Sequence, residues 1–395
     1  MSKQNQRDLR EHNRSLIMET LLLKQPLSRT DLARETRLSK VTVSEIVSGL
    51  LESRNIHEIG TGHSRGGRRP VLLAQLPQVG VAIAINLAPD ETTSLSTWLD
   101  GSPIDREHQW PAVVDPASAI DQVEAIYRGE LEALARCRDA ALPPIVGLAI
   151  AIHGNVRGDD ILFTPYYSLA GLPLAPQLRQ RLAVPVWIGN EANFTALGEL
   201  ASGAARDNFV AISVHSGIGA GIVRDNDLDV GRQGFAGEVG HTIAVPGGLS
   251  CPCGNAGCIE QYASERAIVT RWREVSGDAG ADLGSLIRAS QANDSRARGV
   301  LSQFIRYMGI LVNNLSRFVD PDSIVINSRL TAALPQLIEE IKAEQRCRLG
   351  EAAPLVPSLL GDPAILYGGI AMVLRRHYDV RRLHFAAFRP PDTRC

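Results

Sequence analysis

Apolar residues near the start of the chain return every three or four positions, the period of one buried helix face. Leu16, Ile17, Leu21 and Leu22 predict a first helix ending near Lys24, with Pro26 as its stop. In "PLSRTDLARETRLSKVTVSEIVSGLLESRN", Ser28 and Asp31 have the spacing of a capping box and open a short helix through about Glu35. Ser39 caps the next helix, which buries Val43, Ile46, Val47 and Leu50. Only a few residues separate the two helices, and Ala33 is small where crossing helices must approach closely. This is the helix-turn-helix layout. After Asn55 the period changes. "IHEIGTGHSRGGRRPVLLAQL" reads as strand, glycine-rich tip and strand, a wing whose tip carries Arg65, Arg68 and Arg69.

From about residue 79 onward, strand-like runs alternate with helical ones. "VGVAIAINL", "TSLSTWLD", "PIVGLAIAI", "VPVWIG", "NFVAISV" and "GIVRD" predict strands. Helical periods cover Ile120–Ala135, Pro173–Leu182, Ala192–Ala201, Ala263–Val275, Ala297–Phe318 and Leu334–Ile341. That alternation predicts an α/β body of two lobes with a cleft between them. Pro143-Pro144 is a turn before a buried strand, and no short-period repeat appears.

Composition narrows the class. At 395 residues, 44% hydrophobic and 21% charged, the chain has the makeup of a soluble globular protein with two or three domains. No apolar run reaches the ~20 residues of a membrane span, and the polar N-terminus lacks the apolar core of a signal peptide. The expected compartment is the cytoplasm, with no membrane partner. Charge is spread unevenly: residues 1–78 hold 13 Lys and Arg against 8 Asp and Glu, although the whole chain carries a net −2. A basic head on an acidic body is suited to a polyanion. The wing arginines would lie along phosphates or enter a minor groove, while Ser39, Lys40, Thr42 and Ser44 would reach phosphates or base edges. The expected partner is double-stranded operator DNA. A protein-interaction module would share the helical period without needing the cationic tip. Heads of this size work in pairs on two half-sites, which predicts a homodimer or homotetramer.

In the expected cytoplasmic setting, six cysteines point to thiols or metal ligands rather than disulfides. Cys251, Cys253 and Cys258 cluster within eight residues, and His241 lies ten residues upstream. Three thiolates and one imidazole make a closed tetrahedral set for a structural Zn²⁺. Pro252, Gly254 and Gly257 let the backbone turn tightly enough to aim the sulfurs at one centre. A reactive dithiol pair is the alternative. Cys137, Cys347 and Cys395 have no such company.

"GEVGHTIAVPGGLSCPCGNAGCIE", Gly237 to Glu260, resembles the signature of the ROK family of repressors, open reading frames and kinases. The family pattern E-x-G-H followed by C-x-C-G-x-x-G-C-x-E is matched at every position. The likeness extends to the winged head, to "NEAN" at Asn190–Asn193, to "SGIGAG" at Ser216–Gly221, and to "GILVNNLSRFVDPDSIVI". The resemblance implies a winged helix-turn-helix domain over residues 1–76 and a two-lobed actin-like ATPase body with a zinc motif at 241–260. The lobes would span 79–190 and 191–395, with the C-terminal helix returning to the first lobe. It implies a sugar-responsive transcriptional regulator, a repressor, whose ligand is held by Asn190, Glu191, Glu238, His241 and Glu260. Carboxylates, amides and imidazole are natural partners for sugar hydroxyls. One ring nitrogen of His241 would bind zinc while the other faces the sugar.

Three departures from the family pattern argue against kinase activity. The D-x-G-G-T phosphate motif is replaced by "NLAPD" at Asn86–Asp90. The Asp that serves as kinase base in N-D-A-N is Glu191, one methylene longer. A late glycine pair is replaced by Asn327-Ser328. "AIHGNV" also puts His153 where the family has proline, either facing the cleft and altering ligand choice or merely packed on a strand end. A bifunctional sugar kinase, or a regulator answering a non-sugar ligand or a partner protein, remains open on these residues.

Overall fold

The computed structural model describes residues 3–62, 69–137, 141–203, 207–345 and 352–385. The chain opens with α1 (Lys3–Lys24), β1 (Leu27–Ser28), α2 (Arg29–Thr36) and α3 (Lys40–Glu52), then the hairpin β2 (Ile56–Thr61) and β3 (Val71–Gln75). The capping box at α2 is complete: the Asp31 amide donates to Ser28 Oγ, and the Ser28 amide donates to the Asp31 carboxylate. Ser39 caps α3 through the Thr42 amide. Val43, Ile46, Val47 and Leu50 are buried, together with Ile17, Leu21 and Leu32 of the helices they cross. The strands form a small sheet in the order β1-β3-β2.

Two five-stranded sheets build the body. The first contains β4 (Val81–Leu87), β5 (Thr92–Trp98), β6 (His108–Trp110), β7 (Ile145–Ile152) and β10 (Val186–Asn190), in the order β10-β7-β4-β5-β6. Helices α4 (Ala119–Arg136) and α5 (Leu174–Leu182) and the small hairpin β8 (Asn155–Arg157) and β9 (Asp160–Phe163) belong to the same half. β4 and β7 pair in parallel and are buried throughout most of their length, which explains their unbroken apolar runs.

After α6 (Glu191–Ala201), the second sheet takes β11 (Phe209–Val214), β12 (Ile218–Arg224), β13 (Asp227–Leu228), β14 (Ser323–Ser328) and β15 (Leu355–Pro357), in the order β13-β12-β11-β14-β15. Around it lie α7 (Glu260–Ala263), α8 (Glu265–Ser276), α9 (Leu283–Gln291), α10 (Ser295–Phe318), α11 (Arg329–Ala333) and α12 (Gln336–Ala343). The helix expected over Ala263–Val275 is α8, whose start is set at Glu265 because Ser264 takes an extended backbone and caps it through the Ala267 amide; the short α7 precedes it. The helix expected over Leu334–Ile341 begins instead at Gln336, after the short α11.

α13 (Ala364–Tyr378) lies against β4 and β7 of the first sheet and against α6. The two helices touch backbone to backbone: a Cβ on Gly368 would stand 1.7 Å from the Phe194 carbonyl oxygen, and one on Gly198 would stand 2.3 Å from that of Ala364. Beyond α13, the chain grips the head. Tyr378 Oη accepts from Gln75 Nε2 at 2.9 Å, and Asp379 accepts from Ser15 Oγ at 2.8 Å. The Glu19 carboxylate receives the Arg381 and Arg382 amides at 2.9 and 3.0 Å. The apolar core of the head therefore continues without a break through α13 into the body. No helix among the described residues is long and apolar enough to cross a membrane.

Candidate ligand cleft, metal cluster and nucleic-acid face

The cleft between the sheets is lined by all five residues expected to hold a ligand, Asn190, Glu191, Glu238, His241 and Glu260. Its geometry follows from where the elements end. β10 runs straight into α6, so Asn190 and Glu191 sit at a helix N-terminus under the cleft. Asn190 Oδ1 caps that helix, accepting from the Ala192 and Asn193 amides, while its Nδ2 donates to Gly154 O at 3.0 Å. Glu191 is buried, and its Oε2 has no hydrogen-bond partner. Burial, then the nearby Glu238 and Glu260 carboxylates, raise its pKa well above the carboxylate range.

The other two carboxylates come from the second half of the body and are met by donors from the first. Asn155 Nδ2 donates to Glu238 Oε1 at 2.5 Å, and the Tyr166 hydroxyl donates to Glu260 Oε1. Glu260 Oε2 also accepts the Ile218 amide at 3.0 Å. Burial and the adjacent Glu260 raise the Tyr166 pKa, so the phenol stays a donor. Arg266 stacks on the Tyr166 ring, 3.6 Å from its centre, and donates to its hydroxyl. Asn155 and Tyr166 escaped the sequence reading because their partners lie 83 and 94 residues away.

His153 both packs and lines the cleft. It is buried, and its Nε2 donates to Asn86 Oδ1 at 2.9 Å. Burial and then His215 pull its pKa down to about 3, so the ring is neutral. The glycines of "SGIGAG" serve packing: a Cβ on Gly221 would lie 2.4 Å from Ala196 Cβ, and one on Gly217 would lie 2.7 Å from Glu260 Oε2. Asn327 and Ser328 fill space that a glycine pair would leave open. Asn327 is fully buried, with Nδ2 donating to Gly361 O at 2.6 Å. Ser328 donates to Glu265, whose carboxylate also takes Arg329 Nε and Nη2 at 2.8 and 2.7 Å.

Beside the cleft, His241, Cys251, Cys253 and Cys258 bring their ligand atoms within 4.8 Å of one another. Cys253 Sγ and Cys258 Sγ are 3.7 Å apart, and Cys251 Sγ is 3.4 Å from His241 Nδ1. Around a zinc ion with sulfur at about 2.3 Å and nitrogen at about 2.0 Å, tetrahedral edges are about 3.5–3.8 Å. The four residues thus fit a metal ion. Gly254 and Gly257 have positive φ, and a Cβ on Gly257 would strike Val245 O at 1.7 Å. Burial and the neighbouring thiols push Cys258 up to about 12, so the metal-free cluster holds protons that an ion must displace. His241 turns Nδ1 to the thiols and Nε2 toward Glu238 Oε2, 3.7 Å away. The metal cluster and the ligand cleft share this ring.

A sequence profile of the ROK family matches residues 114–376. The chain belongs to the ROK family. It is 31% identical over 382 residues to the xylose repressor of Bacillus spizizenii, covering 94% of this chain and 97% of that one. Among solved structures, it is similar to a ROK family transcriptional regulator homologous to the Escherichia coli MLC protein. That match has a TM-score of 0.78 and 27% identity, over 94% of this chain and 97% of the other. A ROK glucokinase from Streptomyces griseus, solved with glucose and AMPPNP, shares the fold at TM-score 0.66 and 23% identity, over 74% of this chain and 99% of the kinase. This ROK chain thus has an α/β sugar-kinase-like body, and 94% of its length aligns with a repressor and with a transcriptional regulator.

On the head, Ser39, Lys40 and Ser44 are exposed at the start of α3, and Thr42 is partly so. The Ser39 and Thr42 hydroxyls pair with each other at 2.9 Å, so their first task is the helix cap. Val41, 69% exposed on the same turn, went unnoticed in the sequence because it interrupts the apolar period. Arg69 is exposed at the base of the hairpin tip; Arg65 and Arg68 lie outside the described residues.

Proposed function

We propose that this ROK protein is a sugar-responsive, DNA-binding transcriptional repressor and not a kinase. Residues 1–76 form the operator-binding head, and 79–190 and 191–395 form the two lobes. One observation carries the reading: the cleft gathers the polyol-binding groups Glu191, Glu238, His241 and Glu260, while the places for phosphate-gripping residues hold Asn86–Asp90 and Asn327-Ser328. Full-length relatedness to the xylose repressor supports the same conclusion.

In this reading, ligand hydroxyls bond to Glu238, Glu260 and the free Glu191 oxygen, with His241 Nε2 beside them. His241, Cys251, Cys253 and Cys258 would hold a structural Zn²⁺, which supplies a fixed ring orientation rather than chemistry. The Glu238 and Glu260 contacts with Asn155 and Tyr166 cross the cleft, so a ligand that competes for these acceptors alters how the lobes meet. Only a ligand with different affinity for the two arrangements shifts their balance. The shift reaches the head through α6, which starts at Glu191 and packs on α13, whose C-terminal segment grips Ser15, Glu19 and Gln75. Ser39, Lys40, Thr42, Ser44, Arg65, Arg68 and Arg69 face DNA, and two or four copies present paired heads to half-sites.

The test is a labelled operator selected from random-sequence duplex DNA, titrated with purified protein and then with D-xylose, D-glucose and N-acetyl-D-glucosamine. Release of DNA by at least one of these sugars, with no sugar-dependent ATP hydrolysis, is the expected result. Brisk ATP consumption in the presence of a monosaccharide would overturn the reading.

A further inference from the structure

Two departures from the family pattern, 67 residues apart in the chain, form one bonded pair at the cleft. Asn86 stands where the phosphate motif would begin, and His153 where proline is expected. The His153 ring lines the cleft, and its Nε2 bonds to Asn86 Oδ1 at 2.9 Å. An amide oxygen only accepts, so Nε2 carries the proton. Burial and then His215 hold the ring neutral. A neutral imidazole with its proton on Nε2 presents Nδ1 as an acceptor. Nδ1 has no hydrogen-bond partner among the described residues. Unlike Nε2 of the nearby His215, it is not sealed off without one, so it opens on the cleft. The backbone that carries the ring is pinned. The His153 amide donates to Tyr167 Oη at 2.8 Å, Gly154 O accepts from Asn190 Nδ2 at 3.0 Å, and a Cβ on Gly154 would stand 2.1 Å from Phe163 O.

We propose that His153 is a specificity-determining residue that reads one hydroxyl of the effector by accepting it at Nδ1, and that Asn86 is a positioning residue that fixes the tautomer this requires. The inference rests on the sugar-sensing reading and deepens it with a contact that the family pattern does not supply. Proline at position 153 would offer no side-chain acceptor. A carboxylate at position 86 would favour the charged ring, in which Nδ1 donates; the uncharged amide of Asn86 keeps it an acceptor. A ring held at one nitrogen, on a pinned backbone, loses little freedom when the other nitrogen takes a hydroxyl. A ligand without that donor leaves a desolvated acceptor unpaired, and this penalty sets the selectivity.

The experiment uses the full-length protein and calorimetry with D-xylose, D-glucose and N-acetyl-D-glucosamine, each with its monodeoxyfluoro analogues, in which fluorine removes one hydroxyl donor at nearly unchanged size. For a sugar that binds, fluorine at one position should cost about tenfold in affinity in the unmodified protein and about twofold or less in His153→Phe. Fluorine at the other positions should cost the same in both proteins. Asn86→Leu should lose part of the same single-position penalty. Nitrogen-15 spectra of histidine-labelled, unmodified protein should show the His153 proton on Nε2 and none on Nδ1. A His153→Phe variant that weakens the parent and every analogue by one common factor reduces the histidine to packing; it overturns the inference and leaves the sugar-sensing reading standing. A proton on Nδ1 overturns the inference whether or not the variant folds. Failure of all three sugars to bind the unmodified protein overturns both.

Discussion

Glu107 is the carboxyl whose environment can be converted most directly into a measurable stability. It lies near Glu91, one residue past the replaced phosphate motif, and near Asp362, which follows the glycine that receives Asn327. Burial first, then Asp362 and Glu91, raise its pKa from 4.5 to about 7. The folded chain therefore holds this proton more tightly than the unfolded chain, by about 3 kcal/mol at 1.36 kcal/mol per pH unit. Partial exposure reduces the expected effect to about 2 kcal/mol. A raised folded pKa contributes stability fully below pH 4.5, and that contribution is lost as pH rises through 7. Glu107→Gln keeps the shape and removes the titration. Urea unfolding of both proteins at pH 5 and pH 8 should show nearly equal stability at the lower pH and a variant about 2 kcal/mol more stable at the higher. Equal differences at the two pH values, or a variant less stable at pH 8, would refute the reasoning. The same crowding of acids makes this an unfavourable place for nucleotide phosphates.

Other outcomes follow from single contacts. Cys253→Ser should lose bound zinc, measured by elemental analysis, and with it the ligand response; a metal-free variant that still releases DNA on ligand addition would break the link through His241. Gly368→Ala must push α6 and α13 apart, because its methyl would stand 1.7 Å from Phe194 O. A loss of about 3 kcal/mol or more in urea unfolding is expected, and an unchanged midpoint would contradict the backbone contact. Lys40→Ala and Arg69→Ala should each flatten the dependence of log K on log salt by about 0.9 for operator binding; a slope equal to that of the unmodified protein would remove that residue from the phosphate contacts. Glu19→Ala should leave ligand affinity unchanged yet blunt ligand-driven DNA release, since it frees the Arg381 and Arg382 amides from α1. Intact release would show that coupling runs elsewhere.

Local signals were legible in the sequence, and long-range ones were not. Ser28 with Asp31, Ser39 before α3, and the buried runs of β4 and β7 depend on neighbours a few positions away, and period and capping expose them. The clustering of His241 with three cysteines was readable because its members lie within eighteen residues. Ser264 moved the start of an expected helix by two residues because a residue that suits a helix surface suits an N-cap better. α9 was missed because its nine residues carry a single buried position, Leu286. The buried Glu130, which accepts from Ser94, Ser96 and the His108 ring, joins α4 to β5 and β6 and left no local trace. Asn155 and Tyr166 acquire meaning only once the fold brings Glu238 and Glu260 opposite them.

The unbroken core from α1 through α13 has a mechanical corollary. Only a few residues, Leu76 to Gly80, separate the last strand of the head from the first strand of the body, and they are held by contacts such as that of the Leu99 amide with Pro77 O. Nothing there acts as a slack tether. On the reading proposed above, α3 is then the far end of a stiff arm fixed to the body, and a small rotation of the lobe that carries α13 sweeps it through a much larger arc. If copies pair as proposed, the stride between heads is set by the posture of the trunk, and a single small solute puts a whole duplex out of step.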